Sequence, residues 1–358
     1  MNKTEKIEKQ FNVIRIAVSI SIALLITFLI MALVSDEPIT VLKNFLVGPF
    51  QGRRRMGNIV ENMIPLIFTG VGVSIMYSAN QMNLASEGAF FLGGVATSFV
   101  AITFAMPHVI HPIFAILAGG VAGAIVTSIP AYMYMKYKSL PVVSSLMMNY
   151  VALYVGLFII NYILRDPESG YMASKVFADT AKLPGLIGGT KIHFGLIIAI
   201  AVVIFGHYFL EKSKYGYRIK MVGKNANFVK YSGMPLMGTI LLSQVIGGFL
   251  AGMGGAVEQL GMYNRFQYQG LSNHGFDGVM IAIIAQYKPK YVPLAAFFLS
   301  YIRVGADVVS RTSNIPIEIV SIIQAIIIIF IAAERFLAKW KHRKIVQSAQ
   351  LDLAEGGM

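Results

Sequence analysis

Apolar runs separated by short polar segments recur along the whole chain. About ten of them predict helices that enter a membrane, at about 1.5 Å of rise per residue. They cover residues 13–34, 59–79, 84–105, 112–135, 140–164, 193–210, 236–258, 276–287, 290–309 and 316–337. The run 276–287 is too short for a full crossing and predicts a bent or partial helix, or one extending into the polar stretch before it. The pattern predicts an all-α polytopic membrane protein with about ten transmembrane helices, some broken or partial.

Composition supports a single membrane domain over residues 1–358, with 13–337 in the membrane region and 338–358 as a tail. The chain has 358 residues, of which 56% are hydrophobic and 13% charged, and its mean hydropathy is +0.66. Soluble domains carry about 25% charged residues. No soluble domain of any size is expected. The absence of cysteine excludes disulfides and a thiol nucleophile.

The net charge of +13 is distributed as the positive-inside rule requires. Lys and Arg concentrate near both chain ends and in the segments 136–138, 211–235 and 288–290, which predicts cytoplasmic amino and carboxyl ends. Arg53–Arg55 falls on the outside and is an exception. Anionic lipid headgroups are the expected partners of these charges, and nucleic acid is not, since no basic stretch belongs to a soluble fold. Residues 165–192 form a long outside loop, expected to be a connector although large enough to meet another protein.

The basic loop 211–235 carries its own helix signals. Asn225 is a plausible N-cap, "ANFVKYS" a short helix, and Gly233 its C-terminal stop. A helix this short does not persist alone in water, so it makes sense when docked on a partner. A solvated basic turn between two spans is the alternative.

The same loop, "YGYRIKMVGKNANFVKYSGMPL", resembles the cytoplasmic coupling loop of binding-protein-dependent ABC permeases. The resemblance is to the group that carries ribose-type sugars, branched-chain amino acids and nucleosides. Phe228 and Val229 depart from the small residues common in the family. The resemblance implies contacts with an ATPase subunit for Gly216, Arg218, Gly223, Asn225, Ala226, Tyr231 and Gly233.

Two later segments extend the resemblance, which covers residues from about 56 to 330. "SQVIGGFLAGMGGAVEQLG" resembles a small-residue span of the family, and small residues four apart predict close helix packing. Glu258, at the outer end of this span, is expected at the interface. "GFDGVMIAIIAQYKP" resembles the following family segment.

The stretch "PLIFTGVGVSIMYSANQMNLASEGAFFLGG" resembles the family's P-L-x-x-T-G and N-x-x-x-E-G pattern, in the form more typical of its nucleoside branch. Asn83 or Ser86 is expected to cap the helix that starts there, with Glu87 in its first turn. Amide and carboxyl groups can match ribose hydroxyls and base edges. The predicted substrate path comprises Asn83, Glu87, Gln81, Asn80, Asn62 and Asn149.

The sequence allows two interpretations of Glu87. Intramembrane carboxyl groups are costly, so Glu87 either lies on the substrate path or bonds to backbone N–H groups and fixes the helix break. Both can hold at once. Asn62 and Asn149 are weaker path candidates, because single amides in spans often bond a neighbouring helix.

The chain has no G-x-x-x-x-G-K-[ST] motif, no H-E-x-x-H and no catalytic triad spacing. It is therefore expected to be a transport subunit, not an enzyme, without metal or cofactor. The resemblance implies a separate ATP-binding subunit holding ATP and magnesium, a second permease subunit and an extracytoplasmic solute-binding lipoprotein. It implies a multi-pass protein of the bacterial plasma membrane, most like nucleoside importers, with a ribose-type sugar permease as the alternative. A proton-coupled secondary transporter using Glu87 or Asp277 is a more distant alternative, and an integral membrane enzyme is disfavoured.

Overall fold

The computed structural model describes residues 37–313 continuously, with a few isolated positions within 22–32 and 322–326. The predicted spans 13–34 and 316–337 and the tail 338–358 lie outside this continuous part, so the count of ten spans and the side of both chain ends stay predictions. Residues 37–313 are helical apart from loops and two isolated β-bridges, with no β-strand. The α-helices are α1 (Pro38–Val47), α2 (Arg53–Tyr77), α3 (Ser86–Thr103), α4 (Ile110–Tyr137), α5 (Pro141–Phe158), α6 (Gly195–Lys212), α7 (Lys214–Lys224), α8 (Ala226–Tyr231), α9 (Leu236–Met262), α10 (His274–Ile284) and α11 (Val292–Thr312).

Seven helical segments within the described residues are long and apolar enough to cross a membrane. They correspond to seven predicted spans. They are α2, α3, α4, α5 with its π-helical extension Ile159–Ile163, α6, α9, and α11 with the 3₁₀ turn Pro289–Tyr291 before it. The eighth, α10, has only 11 residues. Its length of about 16 Å is half of a hydrocarbon core, which confirms the prediction of a partial helix.

The described residues fall into two compact units. One consists of residues 37–49 and 302–313. In this unit Gly48 packs against Val308, and the Asn44 amide Nδ2 donates a hydrogen bond to Thr312 Oγ1 at 3.3 Å. The other unit, residues 50–301, contains every predicted site residue.

Within residues 50–301, α2, α3 and α9 are central and α5 and α6 are peripheral. In α2, 83% of the most apolar window is buried, against 28% in α5 and in α6. The centre depends on small residues, since a Cβ on Gly93 of α3 would lie 2.5 Å from the Cα of Gly252 in α9. The predicted close packing of the small-residue span is thereby confirmed, because only hydrogen fits between these backbones.

Two non-helical breaks interrupt this core. Residues 78–85 connect α2 to α3, and residues 263–273 connect α9 to α10. α10 packs along the second half of α2, with Gly278 against Thr69 and Ala282 against Val73. α10 therefore starts near the middle of the bundle and runs toward the end where α2 terminates.

Candidate translocation site

Side chains from neighbouring helices hold the break 78–85 in place. Asn83 is buried, and its Nδ2 donates to the carbonyl oxygen of Thr127 in α4 at 3.0 Å. Its Oδ1 accepts the N–H of Ala85 at 2.9 Å, while Ser145 Oγ in α5 accepts the N–H of Leu84 at 2.9 Å. Polar backbone at this depth is satisfied within the protein, as a break inside a membrane bundle requires.

The cap of α3 comes from another helix, which corrects one expectation. Neither Asn83 nor Ser86 caps α3; Asn149 in α5 does so, with its Oδ1 accepting the N–H of Gly88 at 2.8 Å. Asn149 Nδ2 donates to the carbonyl oxygen of Leu84 at 3.0 Å. Asn83 cannot cap α3, because its Oδ1 already accepts the N–H of Ala85, the residue just before the helix. A cap supplied from 61 residues away leaves no local sequence signal.

Glu87 is fully buried and bonds to the start of α10. Its Oε1 accepts the backbone N–H of Asn273 at 2.7 Å, and its Oε2 accepts that of Gly275 at 2.6 Å and that of Phe276 at 3.3 Å. The hydroxyl of Ser272 donates to Oε1 at 3.4 Å. Glu87 thus takes up N–H groups that the first turn of α10 leaves without intrahelical partners.

The amino-terminal ends of α3 and α10 meet at this carboxyl group. Ser86 Oγ donates to the carbonyl oxygen of Gly275 at 3.2 Å, and the backbone of Gly275 lies directly against that of Glu87. Asp277, in the first turn of α10, is also buried. We call the contact formed by Ser86, Glu87 and residues 272–276 the α3–α10 junction. It joins two broken helices near the middle of the bundle.

The remaining path residues lie in different places. Asn80 is exposed and has a left-handed backbone with φ of 55°, and Gln81 is half-buried; both lie in the break, just after the end of α2. Asn62 is half-buried in the first half of α2. Asn83, Glu87 and Asn149 are therefore together at the start of α3, Asn80 and Gln81 are near the start of the break, and Asn62 is apart.

The segment 211–235 forms two short helices at the end of the bundle where α2 terminates. Ser213 caps α7 by accepting the N–H of Gly216 at 3.0 Å, and Lys220 pairs with Glu211 of α6 at 2.7 Å. Asn225 caps α8 by accepting the N–H of Phe228 at 3.0 Å, which confirms the predicted helix and its cap. The positive φ of 72° at Gly233 fits the predicted stop.

α7 packs tightly on the break, and α8 points outward. A Cβ on Gly223 would collide with the carbonyl oxygen of Ser78, so the backbone of α7 touches the end of α2. Gly216 is buried and Arg218 half-buried, whereas Asn225, Ala226 and Gly233 are exposed. Tyr231 is the most exposed aromatic side chain of α8, at 88%. One surface thus contacts the break while the other is open to a partner.

A second polar group lies at the opposite end of the bundle and was missed from sequence. Glu258 in α9, expected at the interface, is only 1% exposed. Its Oε1 accepts a hydrogen bond from Tyr268 Oη at 3.1 Å and lies 3.3 Å from Nε2 of His274. Tyr263 Oη is 3.0 Å from Tyr268 Oη, and His274 stacks on Phe90. We call these five residues the outer aromatic cluster. The sequence did not indicate it, because tyrosines in a non-helical segment after a span follow no helical or strand periodicity.

The long loop after α5 is bonded to this same end. Ser174 N–H donates to the carbonyl oxygen of Phe266 at 3.0 Å, and Phe177 N–H to that of Asn264 at 2.9 Å. Arg265 pairs with Asp166 at 3.0 Å. The loop 165–194 and the break 263–273 therefore form one ordered layer. Nearby, burial lowers the pKa of His193, immediately before α6, from 6.5 to about 4.

Neither end holds an evident metal site. Across residues 37–313, no cluster of three or more His, Asp or Glu side chains is placed to hold a metal ion. The polar groups described above instead offer amide, hydroxyl and carboxyl groups, which suit hydrogen bonding to an uncharged polar solute.

Seven helical segments of residues 37–313 are long and apolar enough to cross a membrane, and two non-helical breaks interrupt the core that they form. These features define a multi-pass membrane protein. The family model described as "Branched-chain amino acid transport system / permease component" matches residues 55–332. The chain belongs to this permease family.

Three relatives match most of the chain. The guanosine ABC transporter permease protein NupP of Bacillus subtilis is 29% identical over 78% of this chain and 81% of its own length. The nucleoside ABC transporter permease protein NupB of Lactococcus lactis is 27% identical over 88% of this chain and 90% of its own length. The glucose ABC transporter permease protein TsgB13 of Haloferax volcanii is 28% identical over 85% of this chain and 83% of its own length.

Proposed function

We propose that this chain is the permease subunit of an ATP-driven ABC importer for nucleosides in the bacterial plasma membrane. The family match and the names of NupP and NupB support the transporter class and the substrate. The structural observation that carries the proposal is the contact of α7 with the break 78–85. That break leads directly into α3 and the α3–α10 junction. A displacement of α7 is therefore transmitted to the interior of the bundle without an intervening flexible segment.

The proposed partners follow from the two ends of the bundle. α8, with Tyr231 exposed, is the surface for a separate ATP-binding subunit, which holds ATP and magnesium. The ordered layer of loop 165–194 and break 263–273 is the surface for a solute-binding lipoprotein that delivers substrate. A second permease subunit completes the pathway, and membrane lipids cover the exposed apolar faces of α4, α5 and α6.

Transport proceeds by alternating access in this proposal. Closure of the ATPase dimer displaces α7 and α8, and the close contact of Gly223 with Ser78 passes the movement to the end of α2. α3 and α10 then move together, because Glu87 ties their amino-terminal ends. Binding energy for nucleotide on the partner is thereby converted into opening of a path at the junction.

Two alternatives are distinguished by single observations. A sugar permease is the second candidate, because TsgB13 is named for glucose and is as similar as the nucleoside relatives. For a proton-coupled transporter, Glu87 would need to exchange its proton with solvent. Its oxygens instead bond to backbone N–H groups in a buried position, which favours a structural joint.

The substrate is tested by uptake of radiolabelled guanosine, uridine and glucose into cells with the gene, without it, and with it restored. We expect the deletion strain to lose most of its uptake of both nucleosides and the complemented strain to regain it, while glucose uptake is the same in all strains. Loss of glucose uptake with normal nucleoside uptake would replace the nucleoside proposal with the sugar one.

A further inference from the structure

We propose that the outer aromatic cluster is a nucleoside-binding site in which Glu258 accepts hydrogen bonds from ribose hydroxyl groups. This inference rests on the proposed nucleoside function and adds where the membrane part first holds its substrate. It concerns Phe90, Glu258, Tyr263, Tyr268 and His274, of which only His274 also belongs to the α3–α10 junction and none is a predicted path residue.

The cluster connects a partly accessible surface to a buried carboxyl group. Tyr263 and Tyr268 are half-buried, whereas Glu258 is 1% exposed. The hydroxyl groups of Tyr263 and Tyr268 are 3.0 Å apart, and Tyr268 donates to Glu258 at 3.1 Å. The two tyrosine hydroxyl groups therefore form a hydrogen-bonded row that ends at the Glu258 carboxyl group.

The donors to Glu258 differ in kind from the donors to Glu87. Glu87 accepts backbone N–H groups of α10, which cannot leave without disrupting the helix start. Glu258 accepts from the Tyr268 hydroxyl and faces His274, both side chains that can rotate. A ligand hydroxyl can replace the Tyr268 hydroxyl on Glu258 with no change in the backbone. Exchange of one donor for another keeps the buried carboxyl group satisfied throughout.

Aromatic rings at the same place suit a nucleobase. The imidazole of His274 stacks on Phe90 with ring centroids 4.9 Å apart and an interplanar angle of 6°. The rings of Tyr263 and Tyr268 meet edge to face at 5.7 Å. Bases stack on such rings with little dependence on which base it is, because every base has a π-face. Stacking with a carboxyl acceptor fits an uncharged nucleoside, whereas a nucleotide phosphate would be repelled by Glu258.

The position of the cluster connects it to the junction. His274 is the first residue of α10, and the next residue, Gly275, donates its N–H to Glu87. A ligand that shifts His274 therefore acts on the helix end that Glu87 holds. The cluster therefore shares His274 with the junction, and its other four residues lie outside the junction.

The test measures nucleoside binding to the purified permease–ATPase complex in nanodiscs, without the solute-binding protein. Scintillation proximity with labelled guanosine, in competition with 2′,3′-dideoxyguanosine, gives the ratio of the two affinities. The variants are Glu258→Gln and Tyr268→Phe. Tyr154→Phe is the matched control, because Tyr154 is 68% exposed on α5.

We expect wild type to prefer guanosine over the dideoxy compound by at least about tenfold, the worth of one hydrogen bond to a charged group. Glu258→Gln should reduce this preference to within about threefold. Tyr268→Phe should bind guanosine at least as tightly as wild type, because the ligand no longer displaces the Tyr268 hydroxyl. A purely structural role predicts weaker binding of both compounds in both variants, with an unchanged ratio.

Three results would overturn the inference. They are an unchanged preference in Glu258→Gln, weakened guanosine binding in Tyr268→Phe, and no nucleoside binding by a wild-type complex whose cells import nucleosides. The last result leaves the proposed function intact. Cells that import no nucleoside through this chain would instead refute the proposed function itself. If Glu258→Gln does not fold, the sign of the Tyr268→Phe effect alone decides.

Discussion

Replacement of Glu87 distinguishes a structural joint from a residue that serves only the substrate path. Its carboxyl group accepts three backbone N–H groups of the α10 start, two of them at 2.6 and 2.7 Å. Glu87→Ala removes every one of these acceptors in a fully buried place. Each N–H left without a partner costs about 1–3 kcal/mol, so the loss for the three groups is on the order of 3–9 kcal/mol. Glu87→Gln keeps one acceptor oxygen and should lose roughly half of that.

Thermal unfolding of the purified protein in detergent measures the effect. At about 2 °C per kcal/mol for a large domain, Glu87→Ala should lower Tm by about 6–18 °C and Glu87→Gln by about half as much. Glu168→Gln, in the exposed part of loop 165–194, is the matched control and should leave Tm within about 1 °C.

A graded loss of Tm would support Glu87 as the joint of the α3–α10 junction. Unfolding of both Glu87 variants at the wild-type temperature, whatever their transport activity, would refute the role of Glu87 as a joint. Wild-type Tm with abolished uptake would mean that Glu87 serves the substrate path alone, and that the N–H groups of α10 find other partners.

Three further predictions concern other parts of the same unit. Asn149→Leu should lower Tm by several degrees because α3 loses its cap on Gly88, whereas Asn264→Leu, on the exposed loop, should not. Gly223→Ala should impair ATP-dependent uptake while the complex still hydrolyses ATP, since its methyl group meets the carbonyl of Ser78. Gly238→Ala is the control, because a Cβ there meets only the Pro235 side chain at an ordinary contact distance of 3.8 Å. The pKa of His193 is lowered from 6.5 to about 4, so the unfolded state binds the proton more readily and stability should fall as pH drops from about 6.5 to about 4. In differential scanning fluorimetry His193→Gln should flatten this part of the Tm–pH curve, and an unchanged slope would contradict the assignment.

Hydropathy was sufficient to predict the membrane helices, because each crossing needs about 20 apolar residues and the lengths of the apolar runs can be read from the sequence. Seven predicted spans agree with helices to within a few residues at most ends, and α10 was recognised as partial from its length. The cap and stop of α8 were also predictable, because Asn225 and Gly233 act on residues within four positions.

The long-range polar contacts could not be predicted in the same way. Asn149 caps a helix 61 residues earlier in the chain, and Glu87 bonds to residues 186–189 positions away. Asn149 was ranked below Asn83 as a path residue because single amides in spans often bond a neighbouring helix, and Asn149 does so. Nothing in the local pattern indicates which residues the partners are. Glu258 was expected at the interface because it ends a span, but loop 165–194 and break 263–273 cover that end and bury it.

The most direct test of the account uses proteoliposomes that contain the assembled permease pair and ATPase subunit, with the binding protein supplied outside. Uptake of labelled guanosine is measured with ATP inside, with a nonhydrolysable analogue, and with a proton gradient alone. We expect uptake only with ATP, and we expect Gly223→Ala to abolish it while ATP hydrolysis is retained. Uptake driven by the proton gradient without ATP would contradict the central claim.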